Sequence, residues 1–361
     1  MNTRADKKGM KGINGQTIYF ASKPRIVSTG TIAGPKECAG VVGKYVDKAL
    51  SDDTFGEDTY EKAECKMLTY AVRKAIENGG SVEEEIDLLI SGDLLNQIIS
   101  ASFTARDFDF SFLGVYSACA TMAETLAIAA LFVDGGYAKR VVAATGSHFS
   151  SAERQYRYPL ELGTTRPPQS QWTVTAAGAA LVANMGAINT EKSGEKHPMI
   201  TSATFGRVVD YGIADVNNMG AAMAVAAADT ILTHLQDTRQ KAGDYDLIVT
   251  GDLGALGSRL MKDLLWEKGV DVEKNHVDCG EIVYNVIEDE FQGGSGAGCS
   301  AVVLNSYLYE KLRTGDIRRI LFAATGALLS TVSSGQGESV PCICHAVSIE
   351  VDADTPKEES D

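Results

Sequence analysis

Short apolar runs of strand length alternate along the chain with longer segments that have helical spacing. The segment 57–78 repeats apolar residues at helical spacing, from Ala63 to Ala75, and ends in two glycines. Apolar runs separated by helical segments are typical of an α/β protein, in which mostly parallel strands are covered by helices. The strand-like runs lie at 26–34, 86–91, 140–145, 174–183, 200–207, 246–250, 320–325 and 346–351.

One cysteine lies between a strand-like run and a nearly uncharged helical segment. The run 110–116 precedes Cys119, and the segment 120–133 that follows carries a single charge. A helix start offers unpaired N–H groups and the positive end of a dipole, so it can hold an anion or lower the pKa of a thiol. We therefore predict that Cys119 lies in a pocket.

Two pieces of the chain occur twice. IDLLISGDL at 86–94 matches YDLIVTGDL at 245–253, and the segment 119–146 matches 299–326 in the same order. Two long copies indicate a duplicated βαβαβ core and not a solenoid of many short repeats. The duplication predicts two sheets with a helix layer between them, and the apolar segment 120–133 is the candidate for that buried layer.

The duplication also divides the chain into two halves. We predict a first half at 25–188, with a loop-rich excursion at 149–171, and a second half at 199–351. The polar ends at 1–24 and 352–361 are predicted to be tails.

Composition and charge narrow the classes of function. With 48 acidic against 33 basic residues, the net charge of −15 argues against a nucleic-acid partner, since phosphate contacts need clustered Lys and Arg. No apolar run approaches the roughly 18 to 20 residues that span a bilayer, and the first residues lack the apolar core of a secretory signal, so we expect a soluble chain. The 7 dispersed cysteines indicate reduced thiols. Cys342 and Cys344 have no second ligand pair at zinc-finger spacing, so no metal site is predicted.

Several motifs resemble the thiolase-like superfamily. SACATMAETLAIAA around Cys119 is similar to the nucleophile region of ketoacyl-ACP synthases of the third type, and IDLLISGDLLNQ is similar to the strand and loop ahead of it. VTAAGAALV looks like the return strand of these enzymes, and PCICHAVSIEV resembles the last thiolase loop and strand. The resemblance implies a thiolase-like α/β fold with a duplicated βαβαβ core, layered α-β-α-β-α, and a homodimer formed through the sheet of the first copy.

A narrower set of motifs resembles one family within this superfamily. GTIAGPKE, AERQYRYP, GRVVDYGI, GGSGAGCSAVV and ESVPCICHAV are together similar to the stage V sporulation protein AD family, the thiolase-like soluble component of the spore dipicolinic acid transport system. The resemblance implies binding of dipicolinic acid (pyridine-2,6-dicarboxylate) and a role in sporulation and germination. It also implies association with the membrane subunits of that system at the forespore or spore inner membrane. No resident cofactor is implied, and calcium would come only with bound dipicolinate.

Two departures from the condensing enzymes argue against catalysis. Those enzymes place a His after the second-copy strand and an Asn in a later glycine-rich loop, whereas here the strand ends at Asp252 and the loop 293–298 has no Asn. Covalent acyl transfer needs a thiolate, a base and an oxyanion hole. We therefore expect a degenerate site that binds without catalysing. The alternative is an acyltransferase that takes CoA or ACP thioesters, with Cys119 as nucleophile and Cys342 or His345 as base.

For the binding hypothesis, the candidates are residues that could hold a small planar dianion. An Arg can form a two-pronged contact with a carboxylate, and the helix start can offer N–H groups. A structural role remains the alternative for each His, and a solvated loop position for each Arg. A third hypothesis is a scaffold that docks the membrane subunits. The predicted ligand-binding residues are Cys119, Ser147, His148, Arg154, Arg157 and His345.

Overall fold

The computed structural model describes residues 12–156, 160–163, 165–187, 196–284 and 292–352. The strands are β1 (Gly12–Asn14), β2 (Thr17–Tyr19), β3 (Arg25–Ala33), β4 (Lys48–Ala49), β5 (Leu88–Gly92), β6 (Ser111–Gly114), β7 (Arg140–Ser147), β8 (Trp172–Thr173), β9 (Ala176–Ala183), β10 (Met199–Phe205), β11 (Leu247–Thr250), β12 (His276–Asp278), β13 (Gly294–Ser295), β14 (Arg319–Ala327) and β15 (Cys342–Glu350). The α-helices are α1 (Pro35–Cys38), α2 (Tyr60–Asn78), α3 (Ile99–Arg106), α4 (Thr121–Gly135), α5 (Phe149–Tyr156), α6 (Met219–Thr238), α7 (Gly254–Glu267), α8 (Cys279–Val283), α9 (Ala297–Val303), α10 (Tyr309–Thr314) and α11 (Thr331–Gly335).

The main sheet has the same strand order in its two halves. In the first half the parallel strands β6, β5 and β7 are followed by β9 and β3. In the second half the parallel strands β12, β11 and β14 are followed by β15 and β10. β9 and β15 run antiparallel to both of their neighbours. The sequence predicted mostly parallel strands, and these two return strands are antiparallel. The prediction missed their direction because an apolar run indicates burial and not strand direction.

The two halves of the sheet meet edge to edge. Met199 of β10 pairs with Arg25 of β3, so hydrogen bonds join both halves into one 13-stranded sheet. The duplication alone predicted two separate sheets. The hairpin of β1 and β2 strengthens the junction, since β2 adds to β10 with Ile18 opposite Ala203.

Helices form three layers around the two halves of the sheet. α4 lies in the centre and contacts β5 and β7 on one side and β14 and β15 on the other, with α9 beside it. α2 covers the outer face of the first half, and α6, packed on α7, covers that of the second. The predicted α-β-α-β-α layering is confirmed.

α4 is apolar on nearly every face because both of its sides are buried. Met122, Leu126 and Ala129 are fully buried, and burying a side chain the size of Met or Leu stabilises a fold by about 1.5–3 kcal/mol. The window Ala118–Gly135 is long and apolar enough to cross a membrane, which corrects the expectation that no run of the chain approaches this length. Since 67% of the window is buried inside the protein, it is a core helix of the fold.

Close packing brings the start of α9 beside the start of α4. A Cβ at Gly178 of β9 would lie 2.5 Å from the carbonyl oxygen of Ala301, so only glycine allows α9 to approach the sheet this closely. The hydroxyl of Ser300 in α9 donates to the carbonyl oxygen of Cys119 at 3.4 Å. The two copies of the repeat therefore meet at Cys119.

Candidate functional site

A pocket with a cavity volume of about 40 Å³ lies at the start of α4. We call it the inner pocket. Its volume is well below the roughly 300–1,000 Å³ of typical small-molecule sites, so a ring-sized ligand enters only if the wall moves. Much of its wall is apolar, from Leu94, Ala152, Met219, Ala327 and Leu329. The polar side chains in the wall are those of Tyr116, Cys119, Glu153, Tyr156, Thr173 and Ser295.

A strained turn positions Cys119 in the inner pocket. Cys119 is the middle residue of the 3-10 turn Ala118–Ala120, and Ala118 has a φ of 51°, in the left-handed region that residues with a Cβ seldom adopt. The N–H of Ala120 donates to the carbonyl oxygen of Ser117 at 3.0 Å. The hydroxyl of Thr121 donates to the carbonyl oxygen of Ala118 at 2.6 Å. These bonds hold the turn that places the thiol in the pocket wall.

The Cys119 thiol faces a buried carboxyl group, that of Asp252. Asp252 follows β11, is fully buried, and lies near enough to the thiol for its charge to raise the pKa of Cys119. Its carboxyl oxygens accept from the Gly296 N–H at 3.0 Å and from the hydroxyls of Ser295 and Thr325 at 3.1 Å each. At this position the sequence showed only that a His was missing. The structure adds that the residue in its place lies near the candidate nucleophile.

Burial sets the protonation of this thiol and carboxyl. Desolvation, followed by the charge of Asp252, raises the pKa of the Cys119 thiol well above its usual value. Desolvation also raises the pKa of Asp252 to about 6, although the hydrogen bonds that it accepts favour the charged form. A helix start can lower the pKa of a thiol, but here burial and a neighbouring acid raise it. Cys119 is a neutral thiol at physiological pH.

Ser147 and His148 lie outside the wall of the inner pocket, with their polar atoms bonded to the protein. The Ser147 hydroxyl donates to the Val174 carbonyl oxygen at 2.7 Å and accepts from the Gly298 N–H at 3.0 Å. His148 is fully buried. Its Nε2 lies 2.7 Å from the Asp53 carbonyl oxygen, and its Nδ1 accepts from a backbone N–H at 3.1 Å. Burial lowers the pKa of His148, so both residues act as neutral structural groups.

Of the two predicted arginines the structure describes only Arg154, which does not line the inner pocket. Arg154 is half-exposed on α5 and forms an ion pair with Glu61 of α2. Arg157 lies outside the residues that the structure describes.

His345 and Cys342 lie on β15, behind the pocket wall. The Nδ1 of His345 accepts from the Gly206 N–H at 3.3 Å, and its ring packs edge-on against Phe205. Burial lowers the pKa of His345 to about 4. Cys342 is fully buried, its thiol lies 3.5 Å from the Val340 carbonyl oxygen, and burial raises its pKa to about 12. Neither residue is among those that line the inner pocket.

Two tyrosines that sequence analysis did not single out separate the inner pocket from a wider space. A second cavity, which we call the outer cavity, has a volume of about 500 Å³ and shares Tyr116, Tyr156 and Leu329 with the inner pocket. Tyr156 belongs to the motif AERQYRYP, and the predicted loop there is in part the helix α5. Tyr116 ends an apolar run whose strand, β6, is exposed. The signal in the sequence that could have found Tyr116 is its position as an aromatic residue close to Cys119.

The wall of the inner pocket has an acidic bias. Among the wall residues within the described part of the chain, Glu153 carries the only formal charge and no Arg, Lys or His is present. The Glu153 carboxylate accepts from the Thr173 hydroxyl at 2.8 Å. Asp252 lies near Cys119, so a second carboxyl group lies close to this part of the described wall.

This five-layered, duplicated fold, with a buried cysteine at the start of its central helix, defines a thiolase-like protein. The structure of cerulenin-bound Xanthomonas campestris OleA covers 91% of this chain and 97% of its own, with a TM-score of 0.57 and 15% identity. The 3-oxoacyl-[acyl-carrier-protein] synthase III from Aquifex aeolicus VF5 covers 91% and 99%, with a TM-score of 0.53 and 16% identity. Likeness at this level of identity shows the fold alone.

Sequence comparison identifies the family. The family model described as Stage V sporulation protein AD matches residues 14–350. Stage V sporulation protein AD of Bacillus subtilis (strain 168) is 44% identical over 341 residues, which cover 94% of this chain and 98% of that protein. The chain belongs to the stage V sporulation protein AD family.

Proposed function

We propose that the protein binds dipicolinic acid in the inner pocket, without acyl chemistry, as a component of the sporulation and germination system that transports this compound. The observation that carries the proposal is the buried position of the Cys119 thiol in the pocket wall, near the buried carboxyl of Asp252. Burial and this carboxyl keep the cysteine in its neutral form.

Acyl transfer requires the thiolate form of the cysteine, together with a base or a cationic partner. At Cys119 both burial and Asp252 oppose ionisation of the thiol. The Gly296 N–H, which could act as an oxyanion donor, is bonded to Asp252. These two features support binding without acyl transfer.

The apolar wall of the inner pocket suits a planar aromatic ring. Leu94 and Leu329 provide apolar surface, and the hydroxyls of Tyr116 and Tyr156 can donate to carboxylate oxygens. Dipicolinate carries two negative charges at neutral pH, and the described wall offers no cation to meet them. We propose that calcium enters with the ligand, because a calcium chelate neutralises both carboxylates before they approach Glu153 and Asp252.

Calorimetric titration tests this proposal. Calcium dipicolinate should give a saturable heat with one site per chain, and dipicolinate with a chelator should bind more weakly. Ala327→Phe fills the pocket and should abolish binding, whereas Val82→Phe, at a position 57% exposed on the surface, is the matched control and should bind like the wild type. The absence of a saturable heat with either form of the ligand would refute dipicolinate binding.

The alternative function is a Cys-dependent acyltransferase. It is favoured by one observation, the position of Cys119 in a pocket at the start of α4. Incubation with acyl-CoA or acyl-ACP followed by intact-protein mass measurement decides between the two. We expect no acyl adduct, and an adduct that is lost in Cys119→Ser would establish the enzyme instead.

Partners of the protein follow from the same proposal. We propose a homodimer through the edge strand β6, where Phe112 and Leu113 are 37% and 36% exposed beside Phe103 of α3 at 43%. An exposed apolar edge strand is normally covered by a partner.

We also propose that the membrane subunits of the transport system bind the protein peripherally at the forespore or spore inner membrane. Co-purification that survives Ala327→Phe would separate this docking role from ligand binding.

A further inference from the structure

The two copies of the repeat can be compared residue by residue where their edge strands end. The matching segments IDLLISGDL and YDLIVTGDL make Ser91 of β5 the counterpart of Thr250 of β11. In the first copy Ser91 pairs with Gly114 of β6, and in the second copy Thr250 pairs with Asp278 of β12. Gly114 and Asp278 therefore hold the same place in the two copies.

In the second copy this place holds a buried carboxyl group. Asp278 is 2% exposed. The Thr250 hydroxyl donates to its Oδ2 at 2.6 Å, and the Leu253 N–H donates to the same oxygen at 2.8 Å. The N–H groups of Gly254 and Gly280 donate to its Oδ1 at 3.0 Å each. Donors from several segments thus converge on a carboxyl group that the chain itself supplies.

The first copy lacks this carboxyl group but keeps one of its donors. Gly114 has no side chain to offer, and Ser91 is fully buried. Among the residues that the structure describes, the Ser91 hydroxyl has no hydrogen-bond partner. Asp93 does not supply the missing group, since its two carboxyl oxygens accept from the N–H groups of Leu95 and Ala101 at 2.7 Å each. A buried hydroxyl without a partner is costly, so an acceptor from outside the chain would stabilise this place.

The outer cavity opens at this place, because Gly114 and Ile98 both belong to its wall. A Cβ at Gly114 would lie 2.4 Å from Cδ1 of Ile98. The tip of the Ile98 side chain therefore lies where the second copy has the side chain of Asp278, and a change of rotamer can move this tip aside. The cavity volume of about 500 Å³ is within the range of small-molecule sites. Within the described part of the chain, no Asp or Glu lines the outer cavity.

We propose that the outer cavity binds a small aromatic acid, with its carboxylate beside Gly114 at the place that Asp278 fills in the second copy. The Ser91 hydroxyl donates to this carboxylate, as Thr250 donates to Asp278. Tyrosine rings in the cavity wall offer surface for the aromatic ring. We call this place the carboxylate site. It is separate from the inner pocket of the proposed function, and it takes the bare acid and not a calcium chelate.

Ligand-observed fluorine NMR with para-fluorobenzoate tests the carboxylate site, and para-fluorobenzamide is the uncharged control probe. The wild type should broaden the signal of the acid saturably and that of the amide much less. Ser91→Ala removes the donor and should weaken binding of the acid about tenfold, the worth of a hydrogen bond to a charged group. Ser91→Thr introduces the residue of the second copy, keeps the hydroxyl and should bind like the wild type. No saturable broadening with the wild type, or equal affinity of the two Ser91 variants, would overturn the proposal.

Gly114→Asp gives the first copy a carboxyl group of its own. The added side chain should accept from Ser91 and abolish binding of para-fluorobenzoate, and unchanged binding would overturn the proposal. Ser111→Asp, which adds the same charge at an exposed position of β6, is the matched control and should bind like the wild type. If Gly114→Asp does not fold, the two Ser91 variants decide alone.

A further variant separates the carboxylate site from the inner pocket. Ala327→Phe fills the inner pocket and should leave the affinity for para-fluorobenzoate unchanged. Loss of binding in this variant would place the probe in the inner pocket and overturn the carboxylate site. If calorimetry shows no binding of calcium dipicolinate while para-fluorobenzoate follows these predictions, the proposed function fails and the carboxylate site stands.

Discussion

Replacing Asp252 by Asn tests whether a buried carboxyl controls the charge at the floor of the inner pocket. Asn has the same shape and can keep the hydrogen bonds of the site. Its carbonyl oxygen can accept from Gly296 and Ser295, as the Asp252 carboxylate does. Its amide can donate to the Thr325 hydroxyl, which now donates to Asp252 at 3.1 Å. The variant therefore removes the titration of the Asp252 carboxyl and keeps the hydrogen bonds around it.

The size of the effect follows from the pKa of Asp252. The folded protein raises this pKa from 3.8 to about 6, and at 1.36 kcal/mol per pKa unit the shift corresponds to about 3 kcal/mol. A raised acid pKa means that folding favours the protonated carboxyl. The stabilisation is present below the unfolded-state pKa and is lost as the pH rises through about 6. Wild type should thus lose about 3 kcal/mol relative to Asp252→Asn between about pH 4 and pH 7.

Urea unfolding across this pH range measures the difference. The free energy of unfolding of Asp252→Asn minus that of wild type should rise with pH and level off above about pH 7. Asp263→Asn, at an exposed position of α7, is the control and should give a flat difference. A flat difference for Asp252→Asn as well would show that the carboxyl is not desolvated against Cys119, and the account of the neutral thiol would fail.

Three further predictions follow from the structure. Asp252→His places an imidazole beside the Cys119 thiol and should raise its rate of alkylation by iodoacetamide at pH 7 about tenfold or more; an unchanged rate would contradict the role of Asp252. Gly178→Ala forces α9 away from β9 and should lower the unfolding free energy by about 1–3 kcal/mol, whereas Gly186→Ala, with no atom within 4 Å of the added Cβ, should not. Phe112→Glu puts a charge on the exposed edge strand and should convert the proposed dimer to a monomer. Light scattering measures the mass of both forms, and a monomeric wild type would refute the proposed dimer.

The fold was predictable because the two copies of the duplication can be recognised by matching segments of the sequence. Matching copies of strand, turn and helix identify equivalent elements, and an apolar helix such as α4 needs a sheet on each side. The antiparallel return strands and the edge contact at Met199 and Arg25 were not predictable. Both depend on how distant segments lie side by side, and hydrophobic pattern does not encode that information.

The candidate site was predictable only in part. Cys119 was singled out because a thiol at a helix start is chemically distinctive. His148 and His345 were candidates because the residue type is versatile, but backbone groups hydrogen-bond to both ring nitrogens of His148 and to Nδ1 of His345. Asp252 was visible only as a missing His, since its proximity to Cys119 spans the two copies of the repeat.

The central claim is that the inner pocket binds dipicolinate without forming a covalent bond. A crystal structure of the protein soaked with calcium dipicolinate tests it most directly. We predict density for one flat chelate between Leu94 and Leu329, in van der Waals contact with an unmodified Cys119 thiol. An empty inner pocket with the ligand bound elsewhere, or an adduct on the Cys119 sulfur, would contradict the account.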